Sequence, residues 1–248
     1  MNVIYILWLR ELKRYLRSRS RIIGSLGQPL LFLLALGLGL GPVFKKAGQG
    51  DYFQFLSPGV ISMSILFTAI FSGVQVIWDR QFGFLKETLV APVSRLQIML
   101  GKTLGGATVA TVQGIVVLLL TIIVGFRPYS LIHLPLAILF MFLMAILFTS
   151  IGTAIASSLE DMQGFQLIMN FLVQPIFFLS GALFPLTGLP PALKVITIID
   201  PLSYGVDGLR YSLTGVSQLG AFNSLLVLSV LSLLALGIGS YLFSKIQI

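Results

Sequence analysis

The run LPLAILFMFLMAILFTSIGTAIAS, from Leu134 to Ser157, holds 24 residues and no charged side chain. As an α-helix it would be about 36 Å long, enough to cross a hydrocarbon core ~30 Å thick. A spanning strand needs only ~10 residues and alternates polar with apolar side chains, and this run does neither. A helix pairs its backbone donors and acceptors within itself, as lipid requires of any segment it surrounds. The stretch reads as a transmembrane helix.

Five further runs repeat the pattern: 22–41, 55–78, 101–126, 165–184 and 222–243, with 134–157 as the fourth of six. Of the 248 residues 56% are hydrophobic and 10% charged, and the mean hydropathy is +1.00. A soluble domain carries about 25% charged residues, so a water-soluble enzyme is excluded. Cysteine is absent, which removes disulfides and thiolate metal sites. The expected fold is an all-α integral membrane protein with a leader over 1–21 and a six-span membrane domain over 22–246.

The formal charge of +8 bears on topology rather than on nucleic acid, because basic residues collect on the cytoplasmic side. With the N-terminus inside, Arg10, Lys13, Arg14, Arg17, Arg19, Arg21, Arg80, Lys86, Arg95, Lys102 and Lys245 are inside. Lys45, Lys46, Arg127, Lys194 and Arg210 are outside. That imbalance, with an even number of spans, predicts both termini in the cytoplasm. In the leader, Arg10, Lys13, Arg14, Arg17 and Arg21 share one helical face and Trp8, Leu12, Tyr15 and Leu16 the other. Such a helix suits the cytoplasmic interface, cations toward headgroups, as a topology anchor or a docking surface.

Gly101-Lys102-Thr103 looks like the end of a phosphate-binding loop, but position 96 is Leu96 where that loop needs glycine. Lys102 therefore reads as an inside anchor, and Gly101 with Gly105 as a close helix contact. His133 is the only histidine and has no carboxylate beside it, a poor metal site or base. Asp79, Glu160 and Asp161 fall at span ends, and Asp51, Asp200 and Asp207 outside the spans. Ion-coupled transporters place carboxylates near mid-membrane, so their absence there argues against a proton or sodium antiporter and against a voltage sensor.

Two connections are irregular. From Asp79 to Lys102, a charged helix-compatible stretch with Phe82, Phe84 and Leu85 precedes Pro92, and a new helix is expected near Ser94. Those apolar residues would form the centre of a partner contact with Arg80, Glu87 and Arg95 at its rim. From Pro185 to Gly220, four prolines divide a segment expected to form two short helices dipping into the outer leaflet. Asp200 suits a helix cap before Pro201, and Asp207 and Arg210 are spaced to pair on one face. In the fifth span Met169, Phe171, Phe177 and Phe178, with Gln174, offer a largely aromatic wall suited to a hydrophobic cargo.

Leu89-Val90-Ala91-Pro92-Val93-Ser94-Arg95, followed by Gly101-Lys102, resembles the first cytoplasmic loop of type-2 ABC exporter permeases. Leu179-Ser180-Gly181-Ala182-Leu183-Phe184-Pro185 and Asp200-Pro201-Leu202-Ser203-Tyr204 through Arg210 look like the outside half of the same family, in its drug-resistance and nodulation branch. Lys86-Glu87 stands where the family carries an acidic residue, and Glu87 is the candidate for that role. The resemblance implies a permease in the plasma (inner) membrane of a prokaryote, without its own ATPase or cofactor. ATP and magnesium would reside in a separate nucleotide-binding subunit, and the permease would form a homodimer. It further implies that the leader and Arg80, Phe82, Phe84, Leu85, Glu87 and Arg95 contact that subunit, and that spans two and five line the path at the dimer axis. Asp200, Tyr204, Asp207 and Arg210 would form the outside gate. The alternatives are an integral membrane enzyme acting on lipids and an ion channel; neither a clustered set of ionisable residues nor a polar pore repeat is visible.

Overall fold

A computed structural model describes residues 3–48, 50–84, 93–159, 161–186 and 190–245. Every regular element among them is helical: α1 (Val3–Arg17), α2 (Arg19–Lys46), α3 (Tyr52–Ser72), α4 (Val74–Gln81), α5 (Arg95–Val124), α6 (Leu134–Ser158), α7 (Met162–Leu179), α8 (Pro191–Ile199), α9 (Pro201–Thr214) and α10 (Ala221–Ser244). Six stretches are long and apolar enough to cross a membrane, α3 and α4 together making the second.

All six expected spans are present, with shifted ends. The first runs on to Lys46 through Pro29 and Pro42, so Lys45 and Lys46 sit in a last helical turn rather than in a loop. The third begins six residues early, where Ser94 and Gln97 form a capping box. The fifth stops at Leu179 rather than Phe184, because Gly181 adopts φ +73° and turns the chain. The leader ends at Ser18 rather than at residue 21. Lys13–Arg17 and Arg17–Arg21 are like-charge pairs at i,i+4, which disfavour a continuous helix, and Ser18 is a residue that prefers caps.

The centre is α3, packed on α5 and α6. Of its core window 78% is buried, against 17% for α2 and for α10, so those two helices form the periphery. Glycines set the close crossings. A Cβ on Gly152 would lie 2.4 Å from the Ile70 carbonyl oxygen, and one on Gly73 2.3 Å from that of Gly152, so α3 and α6 meet backbone to backbone. A Cβ on Gly208 would fall 2.1 Å from the Phe140 ring, which seats α9 on α6. The leader α1 lies along α5.

Candidate functional site

At the leader end, a Cβ on Gly101 would come within 2.8 Å of Leu7 Cβ, and one on Gly105 within 2.7 Å of Glu11 Cβ. The close contact expected of these glycines is therefore present, and its partner is the leader. Leu7 and Tyr15 are buried, Trp8 Nε1 donates to Thr108 Oγ1 at 2.9 Å, and the Tyr15 hydroxyl donates to Gln113 Oε1. This corrects the expected face: Trp8 and Tyr15 turn into the bundle, while Leu16 stays exposed.

The same packing brings two of the leader's cations, Arg10 and Arg14, onto the bundle. Asp79, expected at a water-facing span end, is buried, and Lys102, expected as a free anchor, is buried against it as its ion-pair partner. Arg10 Nη2 reaches both Asp79 oxygens at 3.0 and 3.1 Å. Arg14 pairs with Glu11 and donates to Gln75 Oε1. Three elements, α1, α4 and α5, thus converge on one carboxylate. A signal existed in the sequence: an acid and a base of opposite sign stand at the facing ends of consecutive spans. Two such groups at the same depth of an apolar bundle are expected to pair, since an unpaired buried charge is costly.

Of the coupling candidates, Leu85 and Glu87 lie outside the described residues. The helix expected to continue past Asp79 ends at Gln81, where Gly83 takes φ +81°. Phe82 and Phe84 are exposed, 72% and 53%. Arg80 is no free rim residue: its guanidinium donates to the Leu159 carbonyl at 3.0 Å and to that of Ser157 at 3.5 Å. Arg95 donates to the Ser244 carbonyl. The two arginines fasten α4 and the start of α5 to the last turns of α6 and α10.

At the opposite end Asp200 caps α9, accepting from the Leu202 amide at 2.9 Å, with Pro201 in the first helical position as expected. Burial pushes its carboxyl up to about 7, against the lowering effect of the Leu202 and Ser203 bonds. Tyr204 donates to the Ile198 carbonyl at 2.9 Å, bracing α8 on α9. The expected pairing of Asp207 with Arg210 does not occur among the described residues. Asp207 accepts from the Ser217 hydroxyl, the Gln218 amide and the Ser224 hydroxyl, tying α9 to α10. Arg210 donates to the Gly181 carbonyl at 2.9 Å and stacks 4.1 Å over the Phe55 ring. Each has neutral partners nearby: those of Asp207 fasten the loop before α10, and that of Arg210 holds the turn after α7.

The wall expected on the fifth span is divided. Met169 and Phe177 are buried, on the ridge with Phe165 and Val173 that packs toward α3 and α2. Phe171 and Phe178 are exposed, 81% and 45%. Around them runs a stripe that the sequence reading missed: Gln163, Gln166, Asn170 and Gln174 fall within about 80° of one another at 100° per residue. None of the four amides makes a side-chain hydrogen bond among the described residues. The i, i+3, i+7, i+11 spacing was the available signal. On α3, half-buried Phe71 meets this helix, its ring edge-on to that of Phe165.

The ABC-2 type transporter family model matches residues 2–214. The transport permease ycf38 of Porphyra purpurea is 31% identical over 202 residues, covering 79% of this chain and 68% of its own. Nodulation protein J of Rhizobium leguminosarum bv. trifolii is 27% identical over 213 residues, 85% of this chain and 78% of its own. The inner membrane transport permease YadH of Escherichia coli is 26% identical over 215 residues, 86% and 83%.

Proposed function

The chain belongs to the ABC-2 type transporter family, and from that premise we propose that it exports an amphiphilic cargo (a drug, a lipid or a lipid-linked glycan) as one half of a homodimeric permease. A separate ATPase subunit supplies the energy, holding ATP and magnesium. Both termini are cytoplasmic, in the plasma (inner) membrane of a prokaryote. Its relatives YadH and ycf38 are named transport permeases, YadH of the inner membrane.

The observation that carries this reading is the amide stripe on α7. Unpaired amides facing hydrocarbon are costly, so a span bearing four of them favours a polar surface opposite. A second copy related by a two-fold axis presents the same stripe. Between the two α7 helices lies a path with amides for polar groups and Phe171 and Phe178 for apolar ones. ATP-driven closure of the ATPase pair would act on Phe82 and Phe84 and tilt the spans as rigid bodies, shifting access from the inner leaflet to the outside.

Inverted vesicles carrying the chain with its ATPase test this. ATP should drive uptake of a fluorescent amphiphile, and Asn170→Leu/Gln174→Leu should abolish uptake while leaving assembly with the ATPase intact. Uptake unchanged in that variant would overturn the assignment of the path to α7.

A further inference from the structure

We propose that the groove between α1, the first turn of α2 and the turn after α4 holds one anionic phospholipid of the leaflet on the leader side. The groove has a volume of about 1200 Å³. Since Leu7, Glu11 and Tyr15 face α5, the adjoining stripe of α1 is turned to the groove. That stripe is graded along the helix: Tyr5, Ile6 and Leu9 come first, and Arg10, Lys13, Arg14 and Arg17 follow, continued by Arg19 on α2. Phe84 lines the same space.

Charge and exposure set the class of occupant. Five cations line the groove against one carboxylate, Asp79, which Lys102 and Arg10 already engage. Lys13, Arg17 and Arg19 are exposed and make no ion pair or side-chain hydrogen bond among the described residues. Guanidinium forks match phosphate oxygens in geometry and charge. The cationic half lies at Ser18, just before the span that opens at Ile22, which is the depth of a headgroup. Ile23 and Leu31 on α2 are 70% and 67% exposed and offer a surface along which acyl chains descend. A lipid supplies both the phosphate and the apolar cover for Tyr5 and Ile6, whereas a free anion supplies only the first.

The test is native mass spectrometry of the full chain from micelles containing equal phosphatidylglycerol and phosphatidylcholine. The chain should keep one phosphatidylglycerol at activation energies that strip phosphatidylcholine. Lys13→Gln/Arg17→Gln/Arg19→Gln should lower that retention by at least about tenfold. All three side chains are exposed, so helicity by circular dichroism should not change. Lys45→Gln/Lys46→Gln, at the other end of α2, should retain the lipid as the unaltered chain does. Equal retention of the two lipids, equal loss in both variants, or displacement by excess inorganic phosphate would each overturn the proposal. Retention that vanishes once an ATPase subunit binds would assign the groove to that subunit instead. Transport is not measured, so failure here leaves the export reading standing.

Discussion

Replacing Asp79 by Asn should be the most damaging single change at the leader end. Its side chain and that of Lys102 are each 7% exposed, while that of Arg10 is 40% exposed. Asp79→Asn strands the Lys102 ammonium in the bundle, and breaking one side of a buried pair costs about 3–5 kcal/mol. Lys102→Met is milder, because Asp79 keeps Arg10 on both oxygens; losing one charged hydrogen bond costs roughly 1.5–3 kcal/mol. In the double variant neither buried charge remains and Arg10 can turn to water. The cost of the double variant should therefore fall short of the sum of the two single costs by about 2 kcal/mol or more. Reversible unfolding of the purified chain in mixed micelles, followed by circular dichroism, gives the four free energies of the cycle. Strict additivity would show that the three groups do not act as a unit, and a silent Asp79→Asn would show that the carboxylate is solvated. Either result would refute the reasoning.

Gly152→Ala places a methyl 2.4 Å from the Ile70 carbonyl oxygen, so α3 and α6 must separate. Overpacking of this kind should cost about 1–3 kcal/mol in the same assay, and an unchanged midpoint would deny the backbone contact. Asp200 gives a pH dependence. Its folded-state value of about 7 lies above the ordinary 3.8, so its contribution is whole below about pH 4 and is lost as pH rises through about 7. Asp200→Asn keeps a capping oxygen and should be more stable than the unaltered chain at pH 8, with a flatter slope; an identical slope would refute the titration. Topology follows from reporters active only outside: fusions near Gly48, His133 and Thr214 should give signal and those near Ser94 and Asp161 should not, and signal at Asp161 would overturn the assignment of spans four and five.

Spans were legible because lipid imposes a rule on every residue of a segment. A run such as 134–157 has one solution, and its ends shift only by local chemistry such as the Ser94 cap or the Gly181 turn. Caps were legible for the same reason: Asp200 before Pro201 satisfies orphan amides wherever the helix lies. Partner choice was not. Asp207 and Arg210 have the spacing of a pair, but the pair loses to groups on other elements: the loop before α10 and α10 itself for Asp207, the turn after α7 for Arg210. The leader misled in the same way. Its wheel separates cations from aromatics correctly, yet a wheel does not say which side meets the protein. Gly101 and Gly105 were legible as a close helix contact, but not their partner, which is the leader through Leu7 and Glu11 at the same spacing.

The fastening of α4 bears on how a push at Phe82 and Phe84 would travel under the proposed mechanism. Local flexing could absorb such a push if the segment hung free. Instead, Arg80 just before it is bonded to the end of α6, and Arg95 just after it to the end of α10. Asp79, beside Arg80, is held in turn by α1 and α5. A push passed back through Asp79 and Arg80 would therefore move the end of α6 and the first turns of α5 together. Packed interiors are stiff, and α3 meets α6 backbone to backbone at Gly73 and Gly152. The displacement is thus passed along the length of the bundle to α9, seated on α6 through Gly208. By contrast α7 is held mainly by one ridge, Phe165, Met169, Val173 and Phe177. A bundle that moves as a body behind a loosely held α7 changes the width of a path lined by that helix without breaking a span.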